Sequence, residues 1–139
     1  MLLLDNSVWA RLMQGIVPKE RAETIAAWMD RDEVAVSLPF LLEAGYSARS
    51  AADRAALMVR LDRLPRIAID REVERLALRA QQELAGVGHH RLAPMDVMIA
   101  ACAHRAEAGV LHYDGDYDVL RERTSLVFES VWLAPPGSL

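Results

Sequence analysis

The chain carries a single cysteine, Cys102, and a single lysine, Lys19, in 139 residues. One cysteine excludes an internal disulfide and suits a reducing compartment, so a cytoplasmic protein is expected. Cys102 lies in the apolar stretch Val97 to Ala103, which makes it a packing residue rather than a nucleophile. No His/Cys spacing suits zinc. A Gly-rich phosphate loop and a Gly-x-Ser-x-Gly elbow are both missing. Excess positive charge is missing too: the net charge is −4, which removes the whole-chain basic signature of a nucleic-acid binder. Acids gathered around a cation would be neutralised locally, so this total does not speak for every surface. Long apolar runs are absent. The first, Met1 to Leu4, ends at Asp5, so no signal peptide is visible, and no stretch approaches the roughly 20 apolar residues of a membrane span. Aromatic residues make up 6%, and Trp9, Trp28 and Trp132 read as core or interface anchors.

What is present is a chain that is 53% hydrophobic. Its length fits one domain spanning 1–139 with a real core, and the apolar fraction leaves surface to bury against a partner. All but one of the sixteen basic residues are arginine. Arginine suits bidentate phosphate recognition, although genome base composition is the preferred account of the skew taken alone. Strand and helix signals alternate along the chain. Residues 1–4 read as a short buried strand, followed by a helix to about Gln14, closed by Gly15. Pro18 opens a helix through Asp30, and Val34–Ser37 is a second strand. Helices follow from Pro39 and from Ser50, then a third strand at Ile67–Ile69. Asp70 caps a helix to about Leu84. Gly86 to Arg91 reads as a loop, and Pro94 starts a helix that Gly109 ends. Val110–Tyr113 is a fourth strand, Asp116 caps a helix to Arg123, and Leu126–Phe128 is a candidate fifth strand. The alternation predicts an α/β fold of three layers, α/β/α, around a central parallel sheet of four to five strands.

Acids recur where these apolar runs turn polar. Asp5 follows the first strand, Glu43 follows the run Val34 to Leu42, Asp96 opens Val97 to Ala103, and Asp114 follows Val110 to Tyr113, with Asp116 two residues on. Each has a plain explanation alone: a turn or cap aspartate, an exposed helical Glu43, a dipole partner at the first turn for Asp96. Asn6 and Ser7 can both cap a helix, which leaves Asp5 free to face a crevice. An acid just past a parallel strand sits at the carboxyl edge of the sheet, where open α/β proteins bind ligands. If the fold gathers these acids they repel one another and need a cation. An oxygen-only set favours Mg²⁺ or Mn²⁺ over zinc, which points to metal-assisted chemistry on a phosphate.

Order and context add what each acid lacks alone. Leu2-Leu3-Leu4-Asp5-Asn6-Ser7-Val8-Trp9, Leu41-Leu42-Glu43, Pro94-Met95-Asp96-Val97-Met98-Ile99-Ala100-Ala101 and Val110-Leu111-His112-Tyr113-Asp114-Gly115-Asp116-Tyr117 together resemble the PIN domain. The resemblance is strongest to the VapC-type toxin ribonucleases of bacterial toxin–antitoxin pairs, and it spans essentially the whole chain. It implies a compact α/β/α fold and Mg²⁺- or Mn²⁺-dependent endoribonuclease activity on an RNA substrate. Asp5 and Asp96 match the principal metal ligands, Glu43 and Asp114 the remaining acids, and Asp116 an auxiliary position. A cognate antitoxin and a homodimer are implied as partners, with no membrane.

Around the acids, Ser7 reads as a site hydroxyl or a helix cap. His89, His90 and Arg91 read as a solvated loop or as phosphate and base contacts at the rim. Trp9, otherwise an anchor, could alternatively stack on a base because it lies near Asp5; His112 reads as structural, and Asp118 as a solvated helix face. Arg71, Arg75 and Arg79 alternate with glutamates on a salt-bridged face. A competing class is a signalling module with an acidic Mg²⁺ pocket, which would need a strand-end lysine. Lys19 lies in an early helix instead. A purely structural subunit, with the acids as caps, is the third class.

Overall fold

The computed structural model describes residues 1–139. The elements run β1 (Leu2–Leu4), α1 (Asn6–Gln14), α2 (Lys19–Asp30), β2 (Val34–Ser37), α3 (Leu38–Tyr46), α4 (Ala51–Leu61), β3 (Arg66–Ile67), α5 (Arg71–Gly86), α6 (Pro94–Ala106), β4 (Gly109–His112), α7 (Asp116–Arg123) and β5 (Ser130–Trp132). All five strands are parallel, in the order β3-β2-β1-β4-β5. β2 and β4 are buried along their whole length, as expected of parallel strands covered on both faces. The chain steps one way across the sheet through α1 to α4 and the other way through α5 to α7, which under the right-handed crossover rule places the two groups on opposite faces. α1 meets α3 and α3 meets α4, while α5, α6 and α7 pack on one another; α3 also meets α6, where the two groups join. The fold is the expected α/β/α arrangement.

The core centres on Leu3, Leu4, Val110 and Leu111 of the middle strands and on Ile99 to Ala103 of α6, all shielded from solvent. α6 is apolar around most of its circumference and is accordingly buried. It ends not at Gly109 but at Glu107, which takes a left-handed conformation at φ 53°. That releases Gly109 to begin β4, where backbone packs closely. A Cβ there would lie 2.8 Å from Leu2 Cδ2 and 3.0 Å from the Glu129 carbonyl. Gly15 does close α1, at φ 70°, with its N–H donating to the carbonyls of Arg11 and Leu12.

Two edge strands differ from expectation. β3 is Arg66–Ile67 rather than Ile67–Ile69. β5 is Ser130–Trp132 rather than Leu126–Phe128. Leu126 and Phe128 are buried by packing, and the Val127 N–H donates to His104 Nδ1 rather than to a strand. The ladder instead pairs Val110 with Ser130 and His112 with Trp132.

The chain steps one way from β1 through β2 to β3 and the other way from β4 to β5. β1 and β4 are therefore neighbours at a topological switch point, and a crevice opens beyond their carboxyl ends.

Candidate active site

Asp5 leaves β1 directly into this crevice. Contrary to expectation it also caps α1: its Oδ2 accepts the Ser7 N–H at 2.9 Å. The Ser7 hydroxyl donates to the same oxygen and accepts the Tyr113 N–H at 2.8 Å. Ser7 thus ties Asp5 to the end of β4, a positioning role for a hydroxyl that the sequence offers as a site group or a helix cap. Asp5 is 3% exposed, and both of its carboxylate oxygens accept hydrogen bonds. Oδ1 accepts the phenol of Tyr117 at 2.6 Å.

Asp96 is the third residue of α6, 7% exposed. Its Oδ1 lies 3.4 Å from the Tyr117 hydroxyl, which stands between the two buried carboxylates. Asp114 follows β4, and its Oδ1 accepts the Asp116 N–H at 3.0 Å. That bond fixes the Asp114-Gly115-Asp116 turn. Asp116 is the first residue of α7 and not its cap, which is Gly115. Oxygens of Asp96, Asp114 and Asp116 lie within 4.8 Å of one another. Glu43, half-buried on α3, faces the same group: burial, then the charges of Asp5 and Asp114, raise its pKa.

The fold therefore gathers all five acids. None of them takes part in an ion pair. Two like charges ~5 Å apart repel by roughly 3 kcal/mol at an effective dielectric of about 20. The strain shows in Asp96, whose pKa rises from 3.8 to about 7, first by burial and then by the charges of Asp5, Asp114, Glu43 and Asp116. Asp116 is raised by burial and by Asp114, with His89 pulling the other way. Burial, Asp5 and Asp96 hold the Tyr117 phenol protonated, so it acts here as a donor. A set of carboxylate oxygens at this spacing, with no basic side chain among them, fits a hard divalent cation such as Mg²⁺ or Mn²⁺.

The rim residues divide. His89 is exposed and close enough to Asp116 to act on its charge. Arg91 is exposed in the loop before α6 and makes no ion pair within the chain. Trp9 is 8% exposed with the Arg60 guanidinium 5.3 Å from its ring centroid, so it is an anchor and not a stacking platform for a base. Asp118 is no solvated face: its carboxylate accepts Ser130 Oγ at 2.6 Å and Trp132 Nε1 at 3.0 Å. Tyr117, which holds Asp5 and Asp96, escaped the sequence reading. Its only local signal is a lone aromatic residue set between Asp116 and Asp118.

An open parallel α/β/α domain with a carboxylate-only cluster at its switch point is the class that fold and site define. The chain belongs to the PIN domain family, whose family model matches residues 2–122. Among its relatives, ribonuclease VapC18 of Mycobacterium tuberculosis is 34% identical over 98% of this chain and 97% of its own. Ribonuclease VapC51 of the same organism is 33% identical over 99% and 96%. Among solved structures, DNA-bound VapBC from Salmonella typhimurium matches with a TM-score of 0.76 and 22% identity, over 96% of this chain and 100% of that one. VapBC-1 from nontypeable Haemophilus influenzae matches at 0.73 and 14%, over 95% and 97%.

Proposed function

We propose that this chain is a metal-dependent endoribonuclease toxin that cuts unpaired loops of structured RNA, such as those of transfer or ribosomal RNA, and is silenced by a cognate antitoxin. The observation that carries this reading is the convergence of Asp5, Glu43, Asp96, Asp114 and Asp116 without a counter-charge. The full-length likeness to ribonucleases VapC supports RNA as substrate.

Asp96, Asp114 and Asp116 would hold Mg²⁺, with Mn²⁺ as a substitute, and Asp5 completes the set from the floor of the crevice. When bound, the ion supplies charge to stabilise a phosphate under attack and to acidify water. The chain's own residues do the rest. Ser7 and Tyr117 fix the direction of Asp5, which spares the reaction that reorganisation. Glu43 stands at the crevice edge on α3, and its raised pKa suits a group that takes a proton from an attacking water. In that step the water oxygen bonds to phosphorus, the bridging P–O bond breaks, and the proton is passed on to the leaving oxygen. His89 and Arg91 offer phosphate contacts at the rim.

The acidic net charge disfavours indiscriminate capture of nucleic acid. Unpaired bases can be splayed against the rim, whereas bases inside an A-form duplex cannot. The solved neighbours named as toxin–antitoxin complexes or systems support an antitoxin partner. Exposed Leu38, Leu42 and Tyr46 along α3 supply apolar surface for that partner or for a homodimer. A signalling role lacks its lysine: Lys19 is exposed on α2 and paired with Glu23.

The test compares cleavage of folded transfer RNA, ribosomal RNA fragments, duplex RNA and single-stranded DNA, each with Mg²⁺, Mn²⁺ or EDTA. Cleavage confined to loops of the structured RNAs supports the reading. Equal cleavage of all four substrates would reject it.

A further inference from the structure

We propose that His112 is a positioning residue for the acid cluster, held in a single tautomer by a hydrogen-bond chain that starts at Asp118 and passes through Ser130. The proposal rests on reading the cluster as a metal site, and its geometry lies outside the cluster itself.

His112 closes β4 and is fully buried. Its Nδ1 accepts the backbone N–H of Asp114 at 3.2 Å. A ring nitrogen that accepts carries no proton, so the proton sits on Nε2. Nε2 lies 2.7 Å from Ser130 Oγ, and Ser130 Oγ donates onward to Asp118 Oδ1 at 2.6 Å. The other oxygen of Asp118 accepts Trp132 Nε1 at 3.0 Å. Every donor in this chain meets an acceptor, and the direction cannot reverse, because an ionised carboxylate has no proton to give. The imidazole is also wedged between two rings. Tyr117 lies 4.8 Å away on one side and Trp132 4.9 Å away on another, centroid to centroid. It cannot turn to exchange its nitrogens without moving both.

The consequence falls on the turn that carries two of the three clustered acids. The β4 ladder has ended there, so the peptide N–H groups of the turn need other acceptors. Tyr113 N–H finds Ser7 Oγ, Asp114 N–H finds His112 Nδ1, and Asp116 N–H finds Asp114 Oδ1. Reversing the chain would set a ring N–H against the Asp114 N–H and orphan that donor. A residue needed only for shape has no such polarity. Outer-shell hydrogen bonds of this kind orient the groups that touch a metal. Here they run from β5 and α7 into the crevice, so the distant Asp118 and Ser130 act on Asp114 through His112.

Nitrogen-15 NMR of the uniformly labelled full chain, metal-free and at neutral pH, reads the tautomer directly. The expected signal is a proton on Nε2 of His112; a proton on Nδ1 would overturn the proposal without any substitution being made. Calorimetric titration with Mn²⁺ then tests the consequence. Asp118→Asn, which can donate and so permits a reversed chain, and Ser130→Ala, which cuts the chain with no change of charge, should each weaken Mn²⁺ binding about tenfold. Ser130→Thr restores the hydroxyl and should bind as the wild type does. Unchanged affinity in Asp118→Asn and Ser130→Ala, both with native amide spectra, would overturn the proposal. None of these readouts needs RNA. A protein that shows the tautomer and the affinity losses but cleaves no RNA would contradict the proposed function and leave this inference standing.

Discussion

At the scale of the residue, the site is an electrostatic problem solved by placement. Asp96 is buried among four other acids and holds its proton to about pH 7. The unfolded chain releases that proton near pH 3.8. Between these values the Asp96 side chain binds more proton in the native than in the unfolded state, so its contribution to the stability of the metal-free protein is lost as pH rises through the window and levels off above it. Glu43 and Asp116, also raised, push the same way, whereas His112, lowered by burial, pushes the other way because its unfolded form binds the extra proton. Comparison with a variant isolates Asp96: in EDTA the melting temperature of Asp96→Asn relative to the wild type should rise as pH rises across that interval. A difference that stays constant with pH would contradict the account. Tyr117 is the complementary case. Its phenol is the only donor to Asp5 Oδ1, at 2.6 Å in a fully buried setting. Hydrogen bonds to charged groups contribute about 1.5–3 kcal/mol, so Tyr117→Phe should lower the unfolding free energy in urea by about that much.

At the scale of the element, Asp5 is both the cap of α1 and a crevice acid. Asparagine caps as well as aspartate, so Asp5→Asn should keep α1 and the fold, by circular dichroism, while abolishing RNA cleavage. Gly109 is the element-scale weak point of β4. Gly109→Ala drives a Cβ to within 2.8 Å of Leu2 Cδ2 and 3.0 Å of a backbone carbonyl, and overpacking of that kind costs about 1–3 kcal/mol, measurable by urea unfolding. The parallel α/β architecture was legible in the sequence because the apolar runs at Leu2, Val34 and Val110 are short, separated by helix-length segments and closed by acids or glycine. The fifth strand was not. Leu126–Phe128 and Ser130–Trp132 are both plausible extended runs, and the choice is made by which peptide groups meet β4. Asp118 reads as solvated locally because its partners, Ser130 and Trp132, lie twelve and fourteen residues further on. Tyr117 hides for the same reason, since Asp5 is 112 residues away. The sequence marks where an acid leaves a strand; it carries no local sign of the neutral donor that will meet it.

At the scale of the whole molecule, a net charge of −4 frames the substrate question. Binding should depend on a few rim contacts, and Arg91→Ala should flatten the salt dependence of RNA binding by about one unit of slope, read by fluorescence anisotropy at several salt concentrations. Association is the other molecular property. The exposed apolar residues of α3, taken with the proposed function, lead us to expect that a small protein encoded beside this chain co-purifies with it and suppresses cleavage. The central claim is that the converged acids bind a divalent metal and use it to cut RNA. The most direct measurement is the rate of cleavage of folded transfer RNA and ribosomal RNA fragments against Mg²⁺ concentration, for the wild type and for Asp96→Asn. We predict no cleavage in EDTA, a saturable rise with Mg²⁺ in the wild type, and none in the variant. Cleavage that persists in EDTA, or a fully active Asp96→Asn, would contradict the account.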